Sequence, residues 1–249
     1  MWILEKNFRN KVLYVESLNG NARLNYEKVR DISNKGAYSA ISSHLISRPS
    51  VEVSPQPLTI TFLRNPSARL VSAYEFQKAT NSLKEGDKNF RAFLTRLRQS
   101  PVSNYQARLL SPQSWESTGP RSGWDLNPRA INLEDENLFV GTVELFDESM
   151  ILLEEWLEER GLHFDSSYSK VSNAGIKKKE SSSMDLKKMV FPDMIEVDNW
   201  LWNEVSNNLQ LKIKNDSKFD SKLEKFKDRR RAISQLEIPM IGPDEFVRI

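Results

Sequence analysis

Leu58-Thr-Ile-Thr-Phe-Leu-Arg-Asn-Pro-Ser-Ala-Arg-Leu-Val-Ser-Ala-Tyr74 carries the clearest local structure in the chain. Residues 58–63 are apolar or β-branched throughout, which predicts a strand covered on both faces of a parallel sheet. Asn65-Pro66 follows at once: a residue whose side chain caps helices, then a proline at the first helical position, where its missing N–H costs nothing. A helix through about Gln77 is expected. Arg64 then ends the strand, and Arg69 and Ser72 stand four and seven residues after the cap, on one helix face. Leu70, Val71 and Tyr74 are expected to point toward the sheet. A guanidinium fork at a helix N-terminus, with a hydroxyl about two turns along the same face, is a phosphate site by geometry. Local physics equally allows Arg64 to pair with a neighbouring carboxylate and Ser72 to fill a small helix contact.

Outward from this turn, strands and helices alternate. Trp2, Ile3, Leu4 and Phe8 are helix-spaced, Lys11–Glu16 reads as a strand closed by the turn-like Ser17–Asn21, and 25–40 is helical in part. Ala40–Ile46 is a second short strand or extended edge. Beyond the helix, 89–110 is helical in two pieces, and 111–130 is a long irregular segment. Asn137–Val143 is a strand, and Phe146–Arg160 is an amphipathic helix ended by Gly161. Residues 170–183 are polar and lysine-rich, 184–213 is helical, 214–231 is charged and helical, and 232–249 has no clear pattern. Trp156, Trp200 and Trp202 fall at helical positions and are expected in the core, while Trp115 and Trp124 fall in the irregular segment. The alternation predicts an α/β domain with a mainly parallel sheet, flanked by helices, whose ligands sit beyond the carboxyl ends of the strands.

Composition narrows the function classes. With 36 basic against 34 acidic side chains the formal charge is +2, so the field of a general nucleic-acid binder is absent. Lys212–Lys227 and Asp228-Arg-Arg-Arg231 are interleaved with acids and read as a solvated helix. There is no cysteine, which removes disulfides, thiolate metal sites and cysteine nucleophiles. The nine glycines are scattered singly and form no glycine-rich phosphate cradle. No window has the length of a transmembrane span or a signal peptide, so a cytoplasmic protein without a membrane segment is expected.

Residues 62–74 resemble the 3′-phosphate-binding motif of sulfotransferases that use 3′-phosphoadenosine 5′-phosphosulfate (PAPS), in the pattern Leu-Arg-(Asp/Asn)-Pro-x-x-Arg-x-x-Ser-x-Tyr. Asn104-Tyr-Gln-Ala-Arg-Leu-Leu110 is similar to the family's Asn-x-Gln-x-Arg-x-Leu helix, and Leu138–Ser149 resembles its Phe-Val-Gly-x-x-Glu strand and helix. The lysine-rich 170–183 segment sits where such enzymes place a loop over the nucleotide. The resemblance covers roughly residues 40–215 and is nearest to carbohydrate O-sulfotransferases of the heparan/uronosyl 2-O type and their bacterial relatives. It implies a P-loop-NTPase-like parallel sheet flanked by helices in residues 1–215, followed by a charged tail at 216–249. It also implies PAPS as sulfuryl donor, no metal, and a carbohydrate or other hydroxyl-bearing acceptor. Arg64 and Ser72 would hold the 3′-phosphate, with Arg69 in support. His44, in Ser42-Ser-His-Leu-Ile46, lies where the 2-O-sulfotransferases carry a catalytic base, with Ser43 in place of a glycine. A hydrogen-bonded histidine at a strand end is the alternative for His44, and His163, after the helix stop, reads as a surface residue.

The family's Pro-Lys-x-(Gly/Ala)-(Gly/Ser)-Thr loop, which grips the 5′-phosphosulfate, has no counterpart in this sequence. The Trp2–Phe8 helix and the Val12–Val15 strand fit the elements after that loop, so the first strand and loop are expected upstream of Met1. Either the start is set too late or the coding sequence is truncated and activity lost, with poor solubility expected of an incomplete sheet. A noncatalytic nucleotide- or carbohydrate-binding descendant is the competing reading. A P-loop NTPase would need a Gly-x-x-x-x-Gly-Lys-(Ser/Thr) loop that the sequence does not contain.

Overall fold

The computed structural model describes residues 2–16, 26–44, 46, 48–49, 54–98, 103–111, 131–168, 185–235 and 247–248. Its elements are α1 (Trp2–Phe8), β1 (Val12–Glu16), α2 (Tyr26–Lys35), β2 (Ala40–Ser42), β3 (Thr59–Leu63), α3 (Pro66–Ala79), α4 (Phe90–Arg98), α5 (Tyr105–Leu110), β4 (Leu138–Thr142), α6 (Phe146–Glu158), α7 (Glu196–Asn215), α8 (Phe219–Gln235) and β5 (Val247–Arg248). The turn at Ser17–Asn21, Trp115 and Trp124, and the lysine-rich 170–183 segment lie outside the described residues.

The expected α/β architecture holds at this level: every strand pairing is parallel, and helices dominate. Among the described residues the strands form two small sheets, in the orders β2-β1-β5 and β3-β4. The second positions the site. Thr59 through Leu63 pair in register with Leu138 through Thr142, and the ladder continues as the Val143 N–H donates to the Leu63 carbonyl at 2.8 Å. Alternate residues send the β3-β4 side chains to two cores. Leu63 and Leu138 join Ala107 and Leu110 of α5 and Leu201, Val205 and Leu209 of α7. On the other face Phe139 joins Met150, Ile151, Leu153 and Leu157 of α6 and Phe219 and Phe226 of α8, with Phe62 packed beside them. Gly141 is where α6 comes closest: a Cβ there would meet the Phe62 ring at 2.7 Å and the Ser149 Cβ at 2.9 Å.

Three expectations for these elements are corrected. It is β4, buried along almost its whole length, that is covered on both faces; on β3 only Leu63 is buried and Ile60 is 40% exposed. Among the described residues β3 has one strand neighbour, so an apolar, β-branched sequence does not here mark the central strand. Leu70, Val71 and Tyr74 face away from the sheet, into a third core with Phe90, Phe93, Leu94 and Leu97 of α4 and with Met194 and Ile195. The expected 184–213 helix is interrupted: a single turn at 185–188, extended Phe191 (ψ 124°), and a 3₁₀ turn at Pro192–Met194 precede α7. Pro192 has no N–H to donate and crowds the residue before it out of helical geometry.

In α7 the buried stripe is Leu201, Val205 and Leu209, and Trp200, placed in the core by its helical position, stands beside that stripe at 36% exposure. The charged segment after 215 is helical as expected, and α8 buries Phe219 and Phe226 against α6 while Arg229 and Arg230 pair with Glu154 and Asp147. The patternless end supplies β5, parallel to β1 through Val15↔Val247 and Glu16↔Arg248.

One ion pair in this framework gives a pH prediction. Asp87 is buried before α4 and accepts from Arg96 Nε at 2.9 Å and Nη2 at 2.6 Å. The Arg96 hydrogen bonds hold the Asp87 carboxyl below its ordinary 3.8. A carboxylate with a lowered folded-state pKa contributes stability that is full above the unfolded value and is lost as pH falls through the folded one. The thermal midpoint is therefore expected to fall as pH drops below 3.8, and Asp87→Asn to flatten that part of the profile. A midpoint-versus-pH curve in Asp87→Asn that is parallel to the parent's in this window would refute the assignment.

Candidate functional site

The candidate site is the turn beyond the carboxyl end of β3, beside the end of β4. β3 ends at Leu63, one residue before Arg64, the expected last residue of the strand, and Asn65 caps α3 by accepting the Ala68 N–H on its Oδ1 at 3.0 Å. The turn between them is held from two sides. Gln106 of α5 grips Arg64 as a strand neighbour would: its Oε1 accepts the Arg64 N–H at 2.8 Å and its Nε2 donates to the Arg64 carbonyl at 2.9 Å. Glu144, just past β4, accepts the Asn65 N–H on Oε1 at 2.8 Å, and its Oε2 accepts the Trp202 Nε1–H at 3.0 Å.

This arrangement changes how the turn can recognise an anion. The N–H groups of Arg64, Asn65 and Ala68 are all bonded within the protein, and a carboxylate already lies at the turn. Besides the side chains, the Ser67 N–H of the first helical turn is the donor without an intramolecular bond among the described residues. Arg64 is half-buried, and among the described residues no carboxylate pairs with its guanidinium. Ser72, also half-buried, lies two turns along α3. Both were expected to act together from one helix face, and the backbone fixes Arg64 firmly at the start of it.

Arg69 has a different setting. Its guanidinium lies over the Tyr105 ring, 5.0 Å from the centroid, beside the fully buried Asp198. Burial lowers the Arg69 pKa, opposed by the charges of Asp198 and Tyr105. His44 is exposed after β2, and its carbonyl accepts the Tyr105 hydroxyl at 3.1 Å. Tyr105 thus brings the His44 segment and Arg69 to one ring, and the next residue, Gln106, holds Arg64. His163 is on the surface, as expected.

Helix α5 is itself fixed by an exchange of caps with α7. Asp198 accepts the N–H groups of Ala107 at 2.7 Å and Gln106 at 3.3 Å, the third and second residues of α5. Asn104 in turn accepts the N–H groups of Val197 at 3.0 Å and Asp198 at 3.2 Å, the second and third residues of α7. Asn104 does so from the left-handed region (φ 49°), which Asn tolerates better than most residues. Burial raises the Asp198 pKa, opposed by Arg69, the two α5 N–H groups and Arg108.

Sequence reasoning singled out Gln106 and Glu144 only as letters of motifs, without these contacts, and missed Tyr105, Asp198 and Trp202 as parts of the site. The available signal was an acidic residue in the first turn of a helix, which is common, and nothing local shows that Asp198 caps a different helix. The chain matches no family model, and no curated protein and no solved structure is detectably similar to it.

Proposed function

We propose that the β3–α3 turn binds the 3′-phosphate of an adenosine nucleotide and that the chain is a sulfotransferase-like protein. In this reading PAPS supplies the sulfuryl group when bound, and a hydroxyl of a carbohydrate or related acceptor receives it. The observation that supports the reading is the Arg64 turn. Its backbone is clamped by Gln106, while its guanidinium, at the mouth of the helix that carries Ser72, has no carboxylate partner among the described residues. An arginine anchored through its backbone, with no carboxylate partner among the described residues, suits a phosphate better than a structural ion pair does.

The residues divide the work as follows. Arg64 and Ser72 would hold the 3′-phosphate as guanidinium and hydroxyl donors, and Arg69 would support that face from its place over Tyr105. His44 accepts the acceptor's proton as the new O–S bond forms and the S–O bond to the leaving phosphate breaks, a role worth about 10²–10⁴ in rate. His44→Ala, in protein that still binds adenosine 3′,5′-bisphosphate, is expected to abolish transfer of radiolabelled sulfuryl to acceptor; full turnover in that variant would remove His44 from the mechanism.

A further inference from the structure

We propose that Asp198 is the positioning residue of the Arg64 turn, acting through Gln106; its consequence for ligand binding rests on the nucleotide reading above. The contacts form a continuous path. The Asp198 carboxylate holds the N–H groups of Gln106 and Ala107, and the side chain of that same Gln106 holds both the N–H and the carbonyl of Arg64. The residue before it, Tyr105, underlies Arg69 and ties down the His44 carbonyl. A shift of the α5 start therefore moves the supports of Arg64, Arg69 and the His44 segment together.

The chemistry of the position supports a role beyond packing. Asp198 has no exposed surface, and Ala107, whose N–H it accepts, belongs to the core of Leu63, Leu110, Leu201 and Val205. A buried carboxylate is costly to desolvate and is kept only where several donors meet it in fixed geometry. α7 does not need it for its own start, because Asn104 takes the N–H groups of Val197 and Asp198. The carboxylate serves α5, a helix of only 6 residues, too short to hold its orientation unaided. Arg69 and Arg108, the two guanidinium groups whose charges act on Asp198, flank the same junction.

The test reads the Arg64 amide directly, by hydrogen exchange in the full chain, alongside calorimetry with adenosine 3′,5′-bisphosphate. Asp198→Asn keeps the shape but turns one acceptor into a donor facing the α5 N–H groups. It is expected to speed exchange of the Arg64 N–H by about tenfold or more while the Phe93 and Leu94 amides of α4 keep their protection. Nucleotide affinity is expected to fall about tenfold in step. Unchanged Arg64 exchange, or a rise shared equally by α4, overturns the proposal, since a merely structural carboxylate would loosen the whole domain. If Asp198→Asn does not fold, Asn104→Gly decides by the same readout: it keeps the left-handed backbone and releases the start of α7 that carries Asp198. Selective Arg64 exchange in a protein whose parent form binds no nucleotide leaves the positioning role standing and removes the nucleotide reading.

Discussion

Arg64→Ala is expected to weaken binding of adenosine 3′,5′-bisphosphate by about 10- to 100-fold, the loss of charge-assisted hydrogen bonds worth ~1.5–3 kcal/mol. The thermal midpoint is expected to stay within a degree or two of the parent's. The two outcomes separate because, among the described residues, the hydrogen bonds of Arg64 are made by its backbone: Gln106 bonds its N–H and carbonyl, both of which alanine retains. Calorimetry paired with thermal unfolding checks both at once. Unaltered affinity would show that the guanidinium does not meet the ligand. A large fall in midpoint would show that Arg64 is a structural ion-pair partner, the alternative that local sequence left open.

The largest stability effect is expected at the far side of the β3-β4 sheet. Phe226 has no exposed surface and packs with Phe219, Phe139 and the α6 residues Met150, Ile151, Leu153 and Leu157. The Tyr168 ring lies 6.4 Å away, and Arg229 lies over the Phe226 face at 5.3 Å. Phe226→Ala removes a large buried ring and leaves a cavity, so a loss of about 3–5 kcal/mol is expected. For a chain of this length that lowers the thermal midpoint by on the order of 10 °C. Urea unfolding followed by tryptophan fluorescence would register it, because the Trp156 ring packs tilted against Phe139 in the same core, 5.7 Å between centroids. A change below about 1 kcal/mol, the size expected of an exposed position, would mean that α8 is a solvated appendage.

How far the sequence reaches depends on how far apart the deciding residues lie. The strand, turn and helix across 58–79 could be read because each signal is local: an apolar β-branched run, a capping Asn, a Pro at the first helical position. The shared face of Arg69 and Ser72 on α3 follows from the same 3.6-residue period. The helix at 219–235 was legible from its charges, and the seven-residue spacing of Phe219 and Phe226 carried its buried side as well, though the charge pattern masked it.

What holds the turn was not legible. Gln106 is 42 residues from Arg64, Asp198 is 91 residues from Ala107, and Glu144 is 79 residues from Asn65. No period or composition links such pairs. The same limit explains β5, a strand only because it pairs with Val15 and Glu16 more than 200 residues earlier, and β3, whose apolar sequence could not show that Ile60 would face outward. Pro192 was the exception: it stood in the sequence, and its interruption of the long helix follows from its missing N–H.

The measurement that bears most directly on the central reading is a calorimetric titration of the intact chain with adenosine 3′,5′-bisphosphate and, in parallel, with adenosine 5′-phosphate. The two ligands differ only in the 3′-phosphate assigned to Arg64 and Ser72. Binding of the bisphosphate at least about tenfold tighter than the monophosphate, with the difference removed in Arg64→Ala, is the predicted result. Equal affinities for the two nucleotides, or no heat of binding with either, would contradict it.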